Sequence, residues 1–319
     1  MDIVTLIPAF KPQYLADLLN SLRLQTVKPR EIVFGDDSPE GAYRAVLMSD
    51  TYEPLRRGLN ISCQDGPRRG AYANILALLD TWAGSSPLVH VLLDDDVMYP
   101  EFYERHIVAH RSASFSCTIS RRWTANDQGQ PLAGQGVPAA LMHHASRIVS
   151  LDADVVFMST AAECKNWFGE FSNAVFRAET VPVLYRPMFE GVRYAGLDDL
   201  GAFMAASLTA PIGHIQDYLG FFRTGGAGNS AKPFGHHMKA AHLGYVALNI
   251  GGRRLGRYSD EQATKAFSML TQALAQRYSS QEDMLPFIAL LPRLAQGDPA
   301  AEPEFVERWH AYLKQHNFF

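Results

Sequence analysis

Three consecutive carboxylates placed directly after a strand-like apolar run constrain this chain more than any other stretch. Residues 88–101 read LVHVLLDDDVMYPE, and five of the six residues before Asp94, Asp95 and Asp96 are Leu or Val. Such a run reads as a strand buried on both faces. Adjacent acids repel one another and gain nothing from an apolar interior, so they are expected at the strand's exposed C-terminal end. Ligands of open α/β sheets bind at that edge. Hard oxygen donors gathered there suit Mg²⁺ or Mn²⁺ held together with substrate phosphates.

The segments before the acids fit the same sheet. Ile3–Pro8 is an apolar run stopped by proline, and Leu15, Leu18, Leu19 and Leu22 then share one helical face. Residues 31–35, EIVFG, form a second strand that ends in Asp36-Asp37-Ser38. After a helix over 42–48 and a third strand over 59–63 comes the turn DGPRRG at 65–70, followed by a helix with Tyr72, Ile75, Leu76 and Leu79 on one face. Strands alternating with helices at this spacing predict βαβ units and a parallel sheet. Its C-terminal edge then collects four polar loops: Pro8 to Lys11, Asp36 to Ser38, Gly66 to Gly70, and Asp94 to Asp96.

Beyond Pro100 a helix is expected to carry His106 and His110, whose spacing lacks the glutamate of HExxH and points to packing rather than metal. Asp198 and Asp199 open a further helix, where the macrodipole favours acids. The run GFFRTGGAGNS at 220–230 lacks the ending of a P-loop and any GxGxxG, and its glycines fit a mobile lid. From Ser259 the chain turns helical, with a capping box at Ser259 and Gln262. A second helix from about Ser280 is expected to be interrupted by Pro286 and Pro292, and a last one places Phe305, Trp309 and Leu313 on a stripe that packs on the main domain or on a second protomer.

Composition excludes several classes. At 319 residues, 47% hydrophobic and 19% charged, the chain is an ordinary globular protein, and a net charge of -4 gives no reason to expect nucleic acid. Cys63, Cys117 and Cys164 lack zinc or disulfide spacing and read as reduced thiols. No stretch approaches the roughly 18–20 apolar residues of a membrane span. With no signal-peptide pattern at the start, a cytoplasmic protein is expected, meeting any membrane-bound acceptor from the surface as a peripheral protein.

Taken in order, these pieces resemble a family 2 glycosyltransferase of the GT-A fold over roughly residues 1–235. VTLIPAFKP is similar to the family's first strand and its Pro-x-Tyr/Phe-Asn turn, with Lys11 where Asn is usual. EIVFGDDSPEG resembles the second strand and its Asp-Asp-x-Ser loop, and GPRRGAYANILAL the glycine turn and helix that carry an Asn, here Asn74. LLDDDVMYPEF is the best match, to the Asp-x-Asp motif. FGEFSNAVFR resembles the acceptor-side Gly-Glu-Pro-Ser segment with Phe171 for Pro, and LDDLGAFMAAS the acidic helix start with Gly201 for Glu. FFRTGGAGNSA is similar to the later Phe/Tyr-Arg-x-His loop, whose His is missing; His214, His236 and His237 are the alternatives.

The resemblance implies an α/β fold: a Rossmann-like, mostly parallel sheet flanked by helices, with a nucleotide-sugar half over 1–112, an acceptor half over 113–235 and a helical extension over 236–319. It implies metal-assisted, inverting transfer of a hexosyl group from a nucleotide-sugar donor to a glycan, lipid-linked or protein hydroxyl, as in polysaccharide biosynthesis. Asp96 would ligate Mn²⁺ or Mg²⁺, and Asp94 would contact the ribose or a metal-bound water. Asp95 would point away, because side chains alternate along a continuing strand. Pro8, Ala9, Phe10 and Asn74 would line the donor, Asp36 or Asp37 would hold nucleobase or ribose, and Arg68, Arg69 or Arg223 would meet phosphate. Asp199 is the expected base, with Asp198 in reserve, and the C-terminal helices offer a homodimer surface. Two other classes remain: a GT-A-like scaffold that binds without transfer, and a sugar-1-phosphate nucleotidyltransferase, for which PAFKP lacks the glycine-rich loop. A dehydrogenase lacks its glycine fingerprint.

Overall fold

The computed structural model describes residues 1–224 and 232–318. Residues 225–231, which hold most of the expected glycine lid, lie outside the described residues, as does Phe319. The chain forms two compact units: Met1–Leu151 with Phe168–Tyr185 and Ala206–Thr224, and Asp152–Trp167 with Arg186–Ala205 and Gly225–Phe319.

The first unit is built on one mixed sheet. Its strands are β1 (Ile3–Ala9), β2 (Glu31–Asp36), β3 (Ile61–Asp65), β4 (Leu88–Val91), β5 (Val97–Met98), β6 (Cys117–Ala125), β7 (Pro131–Gly134), β8 (Ile148–Leu151) and β9 (Ala174–Arg177). Two short strands of the second unit, β10 (Met188–Phe189) and β11 (Val192–Arg193), pair with each other, and β12 (Ile212–Arg223) completes the main sheet. The order is β3-β2-β1-β4-β9-β6-β12-β5, with β7 on β6 and β8 on β12. Along that path every strand except β9 and β5 points the same way. β1 is buried along its whole length, as a strand with parallel neighbours on both sides and a helix above it must be. The Leu15, Leu18, Leu19 and Leu22 face of the helix Leu15–Arg23 is buried in the same core as Ile7, Phe34 and Phe102.

The glycine run departs from expectation at its start. Gly220 to Arg223 are the last residues of β12, which pairs with β5 there and with β6 as far as Ala125. His106 and His110 are buried, and their rings meet Thr118 Oγ1 at 2.7 Å and the Val175 carbonyl at 3.1 Å.

The second unit has its own core. Ser259 and Gln262 make the reciprocal capping box of the helix Asp260–Tyr278. Of the Ala266, Phe267, Leu270 and Leu274 stripe, all four are buried, and the last three pack in one cluster with Phe305, Trp309 and Leu313. These stripes are thus covered within the unit itself. Pro286 does not interrupt a helix: it lies in the first turn of Leu285–Ala295, where its missing N–H is no loss, and that helix runs on through Pro292. Among the described residues no helix is long and apolar enough to cross a membrane.

Candidate active site

The strand order places the site. Between β1 and β4 the order reverses, since β2 and β3 continue outward on one side of β1 and β4 lies on the other. Such a switch point leaves a crevice beyond the strand ends. Phe10 and Lys11 leave β1 on one side of it, and Asp94, Asp95 and Asp96 follow β4 on the other.

The acids are not solvated as their sequence predicts. Asp94 is 4% and Asp96 1% exposed. The loop amides make this tolerable for Asp94, whose Oδ2 accepts the N–H of Phe10 at 2.6 Å and of Lys11 at 2.5 Å. Burial, then the charge of Asp95, still pushes the Asp94 carboxyl to about 6 against those two bonds. Asp96 has less help: its Oδ1 meets the Arg223 N–H at 3.4 Å, and among the described residues its buried Oδ2 has no hydrogen-bond partner. Burial, followed by Asp95, drives this carboxyl to about 8, with the Ser172 hydroxyl and Arg122 acting in the opposite sense.

Asp95 does not point away. β4 has ended at Val91 and the Asp96 N–H turns back to the Leu93 carbonyl at 3.2 Å, so the alternation of a continuing strand no longer applies. Instead the Asp95 carboxylate pairs with the Lys11 ammonium. Burial opposes the Lys11 charge, but Asp95, then Asp94 and Asp96, outweigh it and hold the ammonium above its ordinary value.

Arg223 is committed inward. Its side chain is only 3% exposed and ion-pairs with Asp17 at 2.5 Å, bonds the Asp95 carbonyl at 2.5 Å, and lies over the rings of Tyr14 at 4.6 Å and Phe221 at 5.2 Å. It closes the acid turn rather than facing a ligand. His214 lies buried nine residues earlier in β12, a span over which the paired β6 advances from Ile119 to Ala125, roughly 20 Å of strand, and so does not reach Asp96.

The β2 loop divides its two acids. Asp36 is 1% exposed and satisfied by its own loop and the helix Ala42–Met48 that follows, accepting Ser38 N–H at 2.9 Å, Ser38 Oγ at 2.5 Å and Arg44 N–H at 2.8 Å. Asp37 stays half-buried and accepts the Arg68 amide. Arg68 and Arg69 are exposed on the following turn. Asn74 is buried, donates to the Gly35 carbonyl at 2.7 Å and pins the helix Ala71–Trp82 to β2. A Cβ at residue 35 would sit 2.2 Å from Asn74 Oδ1, so only glycine permits that contact. Pro8 and Ala9 are buried at the end of β1, whereas Phe10 is 57% exposed beside the acids.

In the second unit Asp198 and Asp199 open the helix Asp198–Ser207. Asp198 accepts the Gly196 N–H at 3.3 Å, and burial pushes it to about 6. Asp199 accepts the Leu200 N–H at 2.7 Å. His236 stacks on His316 and lies tilted against His237, which meets Phe318 edge-on.

Ser172 was not foreseen. Its hydroxyl accepts the Leu93 N–H at 3.0 Å, and it lines a narrow cleft with Asp96, Arg122, Asn173 and Phe222. Its carbonyl ends a buried chain: Nε2 of His90 donates to it at 3.0 Å, which leaves Nδ1 to accept from Tyr103 at 3.2 Å, and Tyr103 in turn accepts from Thr5 at 2.6 Å. Burial holds His90 down at about 3, so the ring is neutral as this chain requires. Only the FGEFS match pointed to this segment, and it gave Ser172 no role.

The donor set fits a divalent cation in one form only. Among the described residues no three His, Cys, Asp or Glu side chains converge on a common point. A buried carboxylate oxygen without a partner is nonetheless what one carboxylate ligand would look like, the remaining positions falling to phosphate oxygens and water.

No family model matches the chain, and no curated protein does. Among solved structures it is similar to S. aureus TarS at 15% identity and a TM-score of 0.53, covering 96% of this chain and 55% of that one. It is also similar to TarS 1-349 in complex with UDP-GlcNAc, at 14% identity and a TM-score of 0.53, covering 99% and 91%. The chain thus spans about half the length of the longer TarS chain. At such identity the likeness is one of fold: a mostly parallel sheet flanked by helices, in a chain that ends in further helices.

Proposed function

We propose that this protein is a glycosyltransferase of the family 2 type, moving a hexosyl group from a nucleotide-diphosphate sugar to a hydroxyl acceptor with inversion. The observation that carries the reading is the Asp96 carboxylate, buried at the switch-point crevice with one oxygen that has no hydrogen-bond partner among the described residues, beside the amide-lined turn at Phe10 and Lys11. A buried carboxyl whose surroundings only partly meet its charge is costly, and such costs collect at working sites. The UDP-GlcNAc complex of a structure with the same fold supports the donor class.

In this reading the acceptor oxygen bonds to the anomeric carbon as the bond from that carbon to the diphosphate oxygen breaks. Asp199 takes the acceptor proton, with Asp198 as the alternative. Mn²⁺ or Mg²⁺ at Asp96, when bound, supplies Lewis-acid stabilisation of the departing diphosphate. Asp94 keeps the Phe10–Lys11 turn in place, Asp37 and the exposed Phe10 face the nucleoside, and Arg68 or Arg69 approaches phosphate. The acceptor is a glycan, lipid-linked or protein hydroxyl, met in the cytoplasm or at a membrane face, and the C-terminal helices mediate any self-association.

Thermal melts with UDP, GDP, dTDP and CDP, each with and without Mn²⁺, test this directly, since a ligand of the folded state raises Tm. One nucleotide is expected to give a shift that falls in Asp96→Ala. No shift with any of the four, in either condition, overturns the reading and leaves the scaffold alternative.

A further inference from the structure

The acid loop poses an electrostatic problem for the proposed donor. A diphosphate ester brings two negative charges to a turn that already holds three carboxylates, Asp94, Asp95 and Asp96. Of the cations that touch this turn, Arg223 is enclosed, its side chain 3% exposed and held between Asp17 and the Asp95 carbonyl. Arg122, near Asp96, is paired with Glu170 at 3.2 Å and 12% exposed. Lys11 differs from both. Its side chain remains 29% exposed, and its backbone is fixed at the mouth of the crevice by the bond from its own N–H to Asp94. An ammonium has three donors, and Asp95 uses one. Two N–H groups are therefore available for anionic oxygen without breaking the pair.

We propose that Lys11 is a built-in cation for the donor's diphosphate, its ammonium bridging Asp95 and a phosphate oxygen, so that nucleotide-diphosphate binding keeps a share that needs no metal. The proposal rests on the glycosyltransferase reading. Asp95 acquires a role through it: holding Lys11 extended, it limits the rotamer freedom that a four-carbon stem otherwise loses on binding. The resembled turn carries a neutral Asn at this position, so the charge distinguishes this chain from that pattern.

Calorimetric titration of the full chain with UDP, GDP, dTDP and CDP, in EDTA and in Mn²⁺, tests it. The wild type is expected to bind one of these in EDTA. Lys11→Met should weaken that binding at least tenfold in EDTA, by less in Mn²⁺, and hardly at all for the corresponding nucleoside. Lys11→Arg should keep most of the affinity, and an unchanged apo melting curve of either variant shows that the fold is intact. If Lys11→Met binds as tightly as wild type in EDTA, or if the wild type binds only with Mn²⁺, the role of Lys11 is refuted while the transferase reading stands. If no nucleotide binds in either condition, both fall.

Discussion

Replacing Asp96 by Asn should stabilise the ligand-free protein, and by an amount that grows with pH. The wild-type carboxyl is raised from an ordinary 3.8 to about 8 by burial and by Asp95. Because the folded state holds this proton more tightly than the unfolded one, stability from the group is greatest at low pH and is lost as pH rises from about 4 through about 8. At about 1.4 kcal/mol per tenfold change in proton affinity, the loss between pH 5 and pH 8 is bounded at roughly 4 kcal/mol. Relaxation and water entry around a buried charge recover a share, and about 2 kcal/mol is a working value. For a domain of this size that is a Tm difference of about 4–8 °C. Asn is neutral throughout, so the variant escapes the loss. The assay is a pair of melts, wild type and Asp96→Asn, at pH 5 and pH 8 without nucleotide or metal. Asp94 shifts in the same direction but is present in both proteins, so its contribution cancels. A stabilisation equal at the two pH values, or a variant less stable at pH 8, refutes the reading that burial of the Asp96 carboxylate strains this site.

Two further outcomes follow from the geometry and a third from the proposed function. Gly35→Ala should cost about 1–3 kcal/mol or more in urea unfolding, because its Cβ would lie 2.2 Å from Asn74 Oδ1; adding Asn74→Ala should return part of that loss, and strict additivity would refute the clash. Tyr103→Phe removes the donor to His90 and the acceptor for Thr5, and should cost about 1–3 kcal/mol; a loss under about half a kcal/mol would mean that water or rotation satisfies both. Asp199→Asn should leave nucleotide binding intact and abolish sugar transfer in a radiolabel assay, whereas transfer at the wild-type rate removes Asp199 as the base.

Much of the sheet is legible because its signals are local. Ile3–Ala9, Glu31–Asp36 and the residues before Asp94 are apolar runs cut off by polar residues, and their cores lie where the pattern puts them. β9 is different: AVFR is four residues long, and nothing in it announces insertion antiparallel between β4 and β6. Side-chain direction at the site was least legible. Whether Asp36 faces a ligand depends on whether Ser38 and Arg44 present their amides to it, and they do. The exposure expected of Asp94 failed for the same reason, since two amides from a loop more than eighty residues away replace water. Alternation misled at Asp95 because the strand stops before the acids begin.

The interleaving of the two units has a bearing on how the chain can be cut or made. The backbone passes from one unit to the other after Leu151, Trp167, Tyr185, Ala205 and Thr224. No single cleavage therefore yields either unit whole, and a fragment ending at Thr224 still carries 152–167 and 186–205 without the C-terminal helices that share their core. During synthesis β1 to β4 emerge early, but β9 and β12 reach the sheet only after 152–167 has emerged, and after 186–205 too in the case of β12. Those two stretches must wait for residues beyond Lys232 before their apolar faces are covered. A stalled or truncated product would expose Val192 and Ala195 for that interval, and is the species a chaperone or protease would meet first.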